Sequence, residues 1–177
     1  MSTDNPDVSN TGQENGESVF ETRSLEGIYE EIQGTYLADE RPWVIGYSGG
    51  KDSTTALQLI WYAIDELPDE KQNKPVYVIS SDTLVETPKI VNHITSTLEN
   101  INEYAEKQDM PFEAHKVTPK VDDSFWVNLI GRGYPAPNQT FRWYTERLKI
   151  DPADRFVENK VSEHGEVIVI LGARKAE

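Results

Sequence analysis

Residues 43–67 read WVIGYSGGKDSTTALQLIWYAIDEL and decide the fold. The apolar run over residues 43–47 predicts a short buried strand, and the apolar spacing over residues 54–67 predicts a helix. The segment between them, SGGKDS at residues 48–53, has the composition of a tight turn. A strand that turns directly into a helix is the opening unit of an α/β fold.

The turn at residues 48–53 carries donors for a phosphate group. Two adjacent glycines allow a tight turn whose backbone N–H groups face an anion at the start of the helix. Lys51 and the hydroxyls of Ser48 and Ser53 add further donors. The glycine spacing differs from that of the common Walker A loop, so the segment predicts a phosphate-binding loop of another type. The alternative for a Gly-Gly pair alone is a plain strand-to-helix turn with a solvated lysine.

The rest of the chain continues the alternation of strands and helices. Further strands are predicted at residues 75–80, 112–117 and 166–171, and further helices at residues 88–108, 141–150 and 153–163, with additional helix starts at Ser24 and at Asp123-Ser124. This order predicts an α/β fold, a parallel sheet with helices on both faces joined by right-handed crossovers. Phe125 and Trp126 are assigned to the core rather than to a base-stacking surface.

The composition limits the classes of function. The 177 residues include 31 acidic and 17 basic residues, a net charge of −14, which is the reverse of the basic surface that nucleic-acid binding requires. The chain has no cysteine, which excludes disulfides, thiolate metal sites and cysteine nucleophiles within it. No apolar run has the length of a membrane span, and no signal peptide is recognisable, so a cytoplasmic location is expected. Residues 1–22, which are polar and acidic, are expected to form a disordered tail before a domain at residues 23–177.

Polar residues follow the predicted strands, where ligands bind in parallel α/β sheets. Asp82 comes after the second strand and is a candidate for contact with the ribose or the α-phosphate, the alternative being a turn residue. Arg174 comes after the last strand and is a candidate for stabilising charge on the α-phosphate, the alternative being a surface ion pair. Arg142 and Arg147, together with Lys149, form a candidate phosphate-facing patch, the alternative being a solvated face.

The hexapeptide at residues 48–53 resembles the signature of the PP-loop ATP pyrophosphatases. These enzymes share the adenine nucleotide alpha-hydrolase fold, cleave ATP between the α and β phosphates, and form an adenylylated intermediate. The segments SSDT at residues 80–83 and ETP at residues 86–88 resemble elements of the phosphoadenosine phosphosulfate (PAPS) reductase branch, as does LGAR at residues 171–174.

The longer stretches within residues 41–176 resemble the DndC family, the PAPS-reductase-like sulfurtransferases of DNA phosphorothioation systems. The segments that carry this resemblance are SDTLVETP at 81–88, FWVNLIGRGYPAP at 125–137 and RWYT at 142–145. The resemblance implies ATP and Mg²⁺ as cofactors, a cysteine desulfurase as sulfur donor, DndD and DndE-type proteins as partners, and DNA as a substrate reached through that complex. No membrane is implied.

The resemblance also implies roles for individual residues. Lys51, Asp82 and Arg174 would be catalytic, Arg142, Arg147 and Lys175 would contact the substrate, and Asp52 would help hold Mg²⁺, its alternative role being a favourable charge at the helix N-terminus. The nucleotide would lie against residues of the three strand ends: Tyr47, Ser48, Gly49, Gly50, Lys51, Asp52, Ser53, Asp82, Thr83, Gly172 and Arg174.

The chain departs from the family pattern at one position. Tyr144 stands where the family has a cysteine implied in iron–sulfur or sulfur-relay chemistry, and this chain holds no cysteine at all. The family is also longer, so the domain at residues 23–177 is expected to be truncated at its C-terminal end. Two alternatives therefore stay open: a PAPS or adenylylsulfate reductase, and a catalytically silent nucleotide-binding subunit or fragment.

Overall fold

The structure, a computed structural model, describes residues 24–138 and 140–173. The predicted tail at residues 1–22 lies outside the described residues. Arg174 and Lys175 lie outside them as well, so their roles stay predictions. Everything below concerns the described part of the chain.

Four strands and four principal helices alternate along the described chain. In order they are α1 (Leu25–Tyr36), β1 (Trp43–Gly46), α2 (Lys51–Asp65), β2 (Val76–Ser81), α3 (Pro88–Gln108), β3 (Phe112–Val117), α4 (Asp151–His164) and β4 (Ile168–Leu171). Short 3₁₀ turns lie at Asp69–Lys71 and Val121–Asp123, a π-helix lies at Val127–Gly131, and a helical stretch runs into α4 through Trp143–Thr145 and the π-helix Glu146–Ile150.

The four strands form one parallel sheet in the order β3-β2-β1-β4. β1 lies inside the sheet, where Ile45 is paired with Val78 of β2 on one side and with Ile170 of β4 on the other. The chain therefore adds β2 and β3 on one side of β1 and then crosses to the other side for β4. This order confirms the predicted parallel α/β sheet.

Alternate residues of the strands face two helical layers, because successive strand side chains point to opposite faces. On one face, Ile45 and Val78 belong to a large apolar cluster that includes residues of α1, α2 and α3. On the other face, Val44 and Tyr77 pack against Phe156 of α4. Helices thus cover both faces of the sheet, as the sequence pattern predicts.

The N-terminal helix starts where the sequence predicts. The Ser24 side chain accepts a hydrogen bond from the Gly27 N–H at 3.1 Å, a standard N-cap. By contrast, α2 begins at Lys51, three residues before the predicted start at residue 54. The prediction was late because the apolar pattern begins only after the first turn, which is polar. As a result, the second half of the phosphate loop forms the first turn of the helix.

The segment after β3 differs most from the prediction. Its helices lie near the predicted positions, but two of them are π-helices. In the first, the Arg132 N–H donates to the Val127 carbonyl, five residues earlier, at 2.9 Å. Trp126 is 58% exposed, so its assignment to the core was wrong, although Phe125 is partly buried and stacks on Trp143. Among the described residues no helix is both long enough and apolar enough to cross a bilayer.

Candidate nucleotide-binding site

The phosphate loop follows β1, the strand at which the order of strands in the sheet reverses. The chain leaves β1 toward β2 on one side, while β4 lies on the other side of β1. The connection after β1 leads into α2 on one face of the sheet, whereas α4, which precedes β4, lies on the other face, and a crevice opens at the carboxyl ends of the strands. Residues 48–53 and Gly172 both lie at this crevice.

The phosphate loop (residues 48–53) is held in shape by its own serines. The Ser48 N–H donates to Ser53 Oγ at 3.2 Å, and the two hydroxyl oxygens lie 3.1 Å apart. Gly49 has a φ of +72°, a left-handed conformation that favours glycine. Gly50 is the N-cap residue of α2 and has no side chain to cap the helix, so the N-terminus of the helix keeps its capacity to bind an anion.

Gly172 lies directly against the start of α2. A Cβ atom at this position would lie 2.7 Å from the Asp52 carbonyl oxygen and 2.9 Å from the Ser53 Cα. Only glycine allows the backbone after β4 to come this close to the first turn of the helix. The sequence prediction assigned both Gly172 and the phosphate loop to the nucleotide, and the structure brings them together.

A cavity of about 770 Å³ opens at this crevice. It is large enough for a nucleotide, since ligand pockets of this kind commonly measure roughly 300–1,000 Å³. Its wall includes four of the residues predicted to bind the nucleotide: Tyr47, Ser48, Ser53 and Gly172. Apolar residues of α3, α4 and β4 complete it, including Ile94, Val157 and Leu171.

Ser80 of β2 also lines this cavity, although the sequence prediction assigned its side chain no role. It is 2% exposed, and its hydroxyl has no hydrogen-bond partner among the described residues. Burying an unpaired hydroxyl costs about 1–3 kcal/mol, so such groups are uncommon and call for an explanation. The signal in the sequence was a pair of serines at the end of a strand that is otherwise apolar.

Asp82 follows β2 and faces a different set of residues. It is 8% exposed, its Oδ1 accepts from the Leu84 N–H at 2.9 Å, and its Oδ2 lies 3.6 Å from Lys116 Nζ. Leu84 has a φ of +62°, a strained conformation for a residue with a side chain. Asp82 lines a small pocket beside the 770 Å³ cavity. Lys116 lines the same pocket and is a neighbour that sequence reasoning missed.

The remaining predicted residues are distributed around the crevice. Lys51 is exposed on the first turn of α2, and Asp52 is partly buried next to it. Thr83 is 2% exposed, and its hydroxyl donates to Glu86 Oε1 at 3.2 Å. The phosphate loop and the turn after β2 thus flank the cavity from two neighbouring strand ends.

A second cavity, of about 500 Å³, adjoins the first. Arg142, Tyr144 and Lys149 contribute to its wall, as do Thr83 and Glu86. Arg147, which the sequence prediction grouped with Arg142, points elsewhere: it donates to Asp123 Oδ1 at 3.1 Å and to the Tyr134 hydroxyl at 3.2 Å. The structure therefore separates the two arginines.

The donor set decides which inorganic groups fit. Magnesium bound through phosphates needs only one or two protein carboxylates, so the carboxylate of Asp52, within the phosphate loop, fits that requirement. Within the described ranges, no group of three or more His, Asp or Glu side chains forms a metal site. A cysteine-ligated iron–sulfur cluster does not fit, because the sequence contains no cysteine.

Comparison with known proteins identifies few relatives. A scan against protein-family models finds no match. The chain is 27% identical over 174 residues to an uncharacterized protein of Methanocaldococcus jannaschii, a match that covers 93% of this chain and 31% of that protein. The chain thus spans about a third of the length of this curated relative.

Among solved structures, the chain is similar to a phosphoadenylyl-sulfate (PAPS) reductase from Candida auris in its phosphate complex. The sequence identity is 20% and the TM-score is 0.48, over 87% of this chain and 70% of that one. The α/β fold class of the present chain stands on its own strand order, β3-β2-β1-β4, all parallel.

Proposed function

We propose that the chain is an adenine nucleotide alpha-hydrolase-like (PP-loop) domain that binds ATP in the 770 Å³ cavity and cleaves it between the α and β phosphates. The observation that carries this proposal is Ser80, which lines a cavity at the N-terminus of α2 and whose buried hydroxyl has no hydrogen-bond partner in the part of the chain that the structure describes. A nucleotide supplies both a phosphate for the helix N-terminus and polar atoms for the hydroxyl.

The phosphate loop sets the orientation that the proposed reaction needs. Residues 48–53 would hold the β and γ phosphates, with Lys51 adding positive charge, so that the α phosphate lies toward the end of β4. Arg174, two residues beyond Gly172, would stabilise charge on the α phosphate. An acceptor oxygen attacks the α phosphorus, the bond to the bridging oxygen breaks, and pyrophosphate leaves with that electron pair.

The finer proposal is that this domain belongs to a DndC-like sulfurtransferase acting in DNA phosphorothioate modification. Its support is the resemblance of residues 81–88, 125–137 and 142–145 to that family. A cysteine desulfurase would supply the sulfur, and DndD and DndE-type partners would bring the DNA. These partners answer a physical need, because a chain of net charge −14 lacks the basic surface for DNA and has no cysteine to carry sulfur.

Two alternative functions rest on particular residues. A PAPS or adenylylsulfate reductase would share the fold and the nucleotide cavity, but it needs a catalytic cysteine, and this sequence has none. A silent nucleotide-binding subunit is favoured by Tyr144, which replaces the family's cysteine. Both alternatives predict nucleotide binding without formation of AMP from ATP.

The decisive experiment follows the fate of ATP labelled at the α phosphate, in the presence of Mg²⁺, with AMP, ADP and pyrophosphate resolved. We expect AMP and pyrophosphate from the wild-type chain and at least a tenfold lower rate for Ser53→Ala and Arg174→Ala. Lys71→Ala, an exposed cation remote from the phosphate loop, is the matched control and should retain the wild-type rate.

The products discriminate between the proposals. ADP with inorganic phosphate would show that the phosphate loop positions the γ phosphate for attack, which contradicts the proposed cleavage. Binding of ATP without any product would favour the silent subunit. Sulfite released from PAPS would favour the reductase.

A further inference from the structure

The 500 Å³ cavity is separate from the nucleotide cavity but shares a wall with it. Glu86 and Lys149 contribute to both cavities. The second cavity lies between the turn after β2, which carries Thr83, and the helical stretch that contains Tyr144. A ligand held there would lie next to a nucleotide in the first cavity.

Two cations on the wall of this cavity have no ion-pair partner among the described residues. Arg132 and Arg147 each pair with Asp123, at 3.3 and 3.1 Å. Arg142 and Lys149, in contrast, form no ion pair with any residue in the ranges that the structure describes. On a chain with an excess of acidic residues, two cations that line one cavity and have no ion-pair partner in the described ranges provide a local site for an anion.

The other walls restrict the kind of anion. The carboxylate of Glu86, which accepts the Thr83 hydroxyl at 3.2 Å, places a negative charge in the same cavity and disfavours a polyphosphate. Phe125 adds an aromatic face to the wall. Its ring stacks on the Trp143 ring, with the ring centroids 5.5 Å apart and an angle of 21° between the ring planes. A single oxyanion attached to an apolar or flat group suits these walls.

We propose that this cavity binds the second substrate, an organic molecule that carries one oxyanion, a carboxylate or a phosphodiester, held by Arg142 and Lys149. The inference rests on the proposed function, since it places the acceptor beside the nucleotide. It assigns the acceptor to Arg142 rather than to Arg147, whose guanidinium is bonded to Asp123 and Tyr134.

The test is a titration followed by NMR on the full chain labelled with ¹⁵N. The probes are benzoate, as the carboxylate, and the dinucleotide thymidylyl-thymidine, as the phosphodiester. Each is added both alone and in the presence of α,β-methylene-ATP, an analogue that is not cleaved between the α and β phosphates. The signals to follow are the backbone amides of Arg142 and Tyr144 and the indole N–H of Trp143.

We expect at least one probe to give saturable shifts at these signals, with about tenfold weaker binding for Arg142→Ala and for Lys149→Ala, since each removes a charge-assisted hydrogen bond. Lys71→Ala, which makes the same change in net charge on the remote 3₁₀ turn, should bind as the wild type does. A preference between the two probes identifies the source of the oxyanion.

Several outcomes would overturn the inference. It is wrong if neither probe shifts these signals, or if Lys71→Ala weakens binding as much as Arg142→Ala. Because the probes are also tested without nucleotide, this result is independent of the proposed function. Failure of α,β-methylene-ATP to bind would instead count against the nucleotide site, whatever the probes do.

Discussion

At the scale of single residues, Ser80 links stability to ligand binding. Its hydroxyl is buried and has no hydrogen-bond partner within residues 24–138 and 140–173, which costs free energy of folding that a bound ligand would recover. Removing the hydroxyl should therefore have opposite effects on stability and on affinity.

For Ser80→Ala we predict a free energy of unfolding that is unchanged or higher by about 1 kcal/mol, because an unsatisfied buried group is lost. The same variant should bind ATP about tenfold more weakly, because one hydrogen bond to the ligand is lost. Urea unfolding without ligand measures the first quantity, and isothermal titration calorimetry measures the second.

Ser81→Ala is the matched control, because the Ser81 hydroxyl is already bonded to the Lys149 carbonyl at 3.2 Å. It should lose some stability and keep most of its affinity for ATP. If Ser80→Ala lowers stability and leaves affinity unchanged, Ser80 has a structural role and the proposed ligand contact is wrong.

The candidate site was predictable to the extent that its residues form a local pattern. Ser48, Ser53 and Gly172 were assigned from motifs, and the structure brings them to one cavity. Ser80 and the pairing of Lys116 with Asp82 depend on which strand ends become neighbours, and one sequence does not show this. The predicted substrate contact of Arg147 stays a prediction, and its hydrogen bond to Asp123, 24 residues away along the chain, could not be read from one sequence.

At the scale of elements, the junction of β4 with α2 holds the site together. The backbone at Gly172 contacts the first turn of α2, so the end of β4 fixes one side of the phosphate loop. The contact is between main-chain atoms, which cannot give way as a flexible side chain would. The geometry of the phosphate loop therefore depends on a strand that comes about 120 residues later.

For Gly172→Ala we predict a loss of about 1–3 kcal/mol in the free energy of unfolding, because the added Cβ would lie 2.7 Å from the Asp52 carbonyl oxygen. Binding of ATP should weaken as well, since the start of α2 must move. Chemical denaturation and calorimetric titration of the same preparation measure both effects.

Gly34→Ala makes the same chemical change at a position without neighbours. Gly34 is an exposed residue inside α1, and a Cβ there would meet nothing within 4 Å. Alanine should stabilise this helix by about 0.5–1 kcal/mol and leave binding unaltered. Equal stability of the Gly172→Ala and wild-type proteins would show that the contact of β4 with α2 is looser than described.

The boundaries of helices and strands were predictable where the spacing of apolar residues along the sequence changes sharply. α3 begins at Pro88 and ends at Gln108, as predicted, because proline and a long amphipathic pattern define it. The π-helices at Val127–Gly131 and Glu146–Ile150 have no such signature. Each of them buries one side chain, that of Asn128 in the first and that of Leu148 in the second.

At the scale of the whole molecule, alternation of strands and helices was sufficient to predict a parallel α/β sheet. It was not sufficient to predict the order β3-β2-β1-β4, because a crossover to either side of β1 satisfies the same pattern. The order matters for function, since it creates the crevice next to β1. Stability of the whole fold also depends on a buried polar cluster that no motif indicated.

This cluster attaches α1 to the start of β2. The Tyr36 hydroxyl donates to the Lys74 carbonyl at 2.7 Å and accepts from the Lys74 N–H at 3.0 Å, while Lys74 Nζ donates to the Tyr36 carbonyl and lies 3.7 Å from Asp39 Oδ1. Burial raises the pKa of Tyr36 to about 12 and lowers the pKa of Lys74 below its ordinary value. The two groups therefore act on stability in opposite directions as the pH rises.

The signs follow from linkage. Between pH 10 and 12 the Tyr36 phenol stays protonated in the folded protein and ionises in the unfolded chain, so its contribution to stability falls as the pH rises. Approaching pH 10.5 from below, Lys74 binds more protons in the unfolded chain than in the folded protein, so its contribution rises. Tyr36 therefore contributes a loss of stability above pH 10, and comparison with a variant that lacks its hydroxyl isolates that contribution.

For Tyr36→Phe we predict a free energy of unfolding about 1–3 kcal/mol lower than wild type at pH 7, because the buried Lys74 N–H loses its acceptor. The deficit should shrink between pH 10 and 12, since the variant has no phenol to ionise at this position. Guanidinium unfolding at half-unit steps from pH 8 to 11.5 measures the difference. Tyr62→Phe, at an exposed tyrosine, is the control and should keep the wild-type free energy of unfolding at pH 7. A Tyr36→Phe curve that runs parallel to wild type from pH 8 to 11.5 would show that Tyr36 ionises in the folded protein as readily as in the unfolded chain.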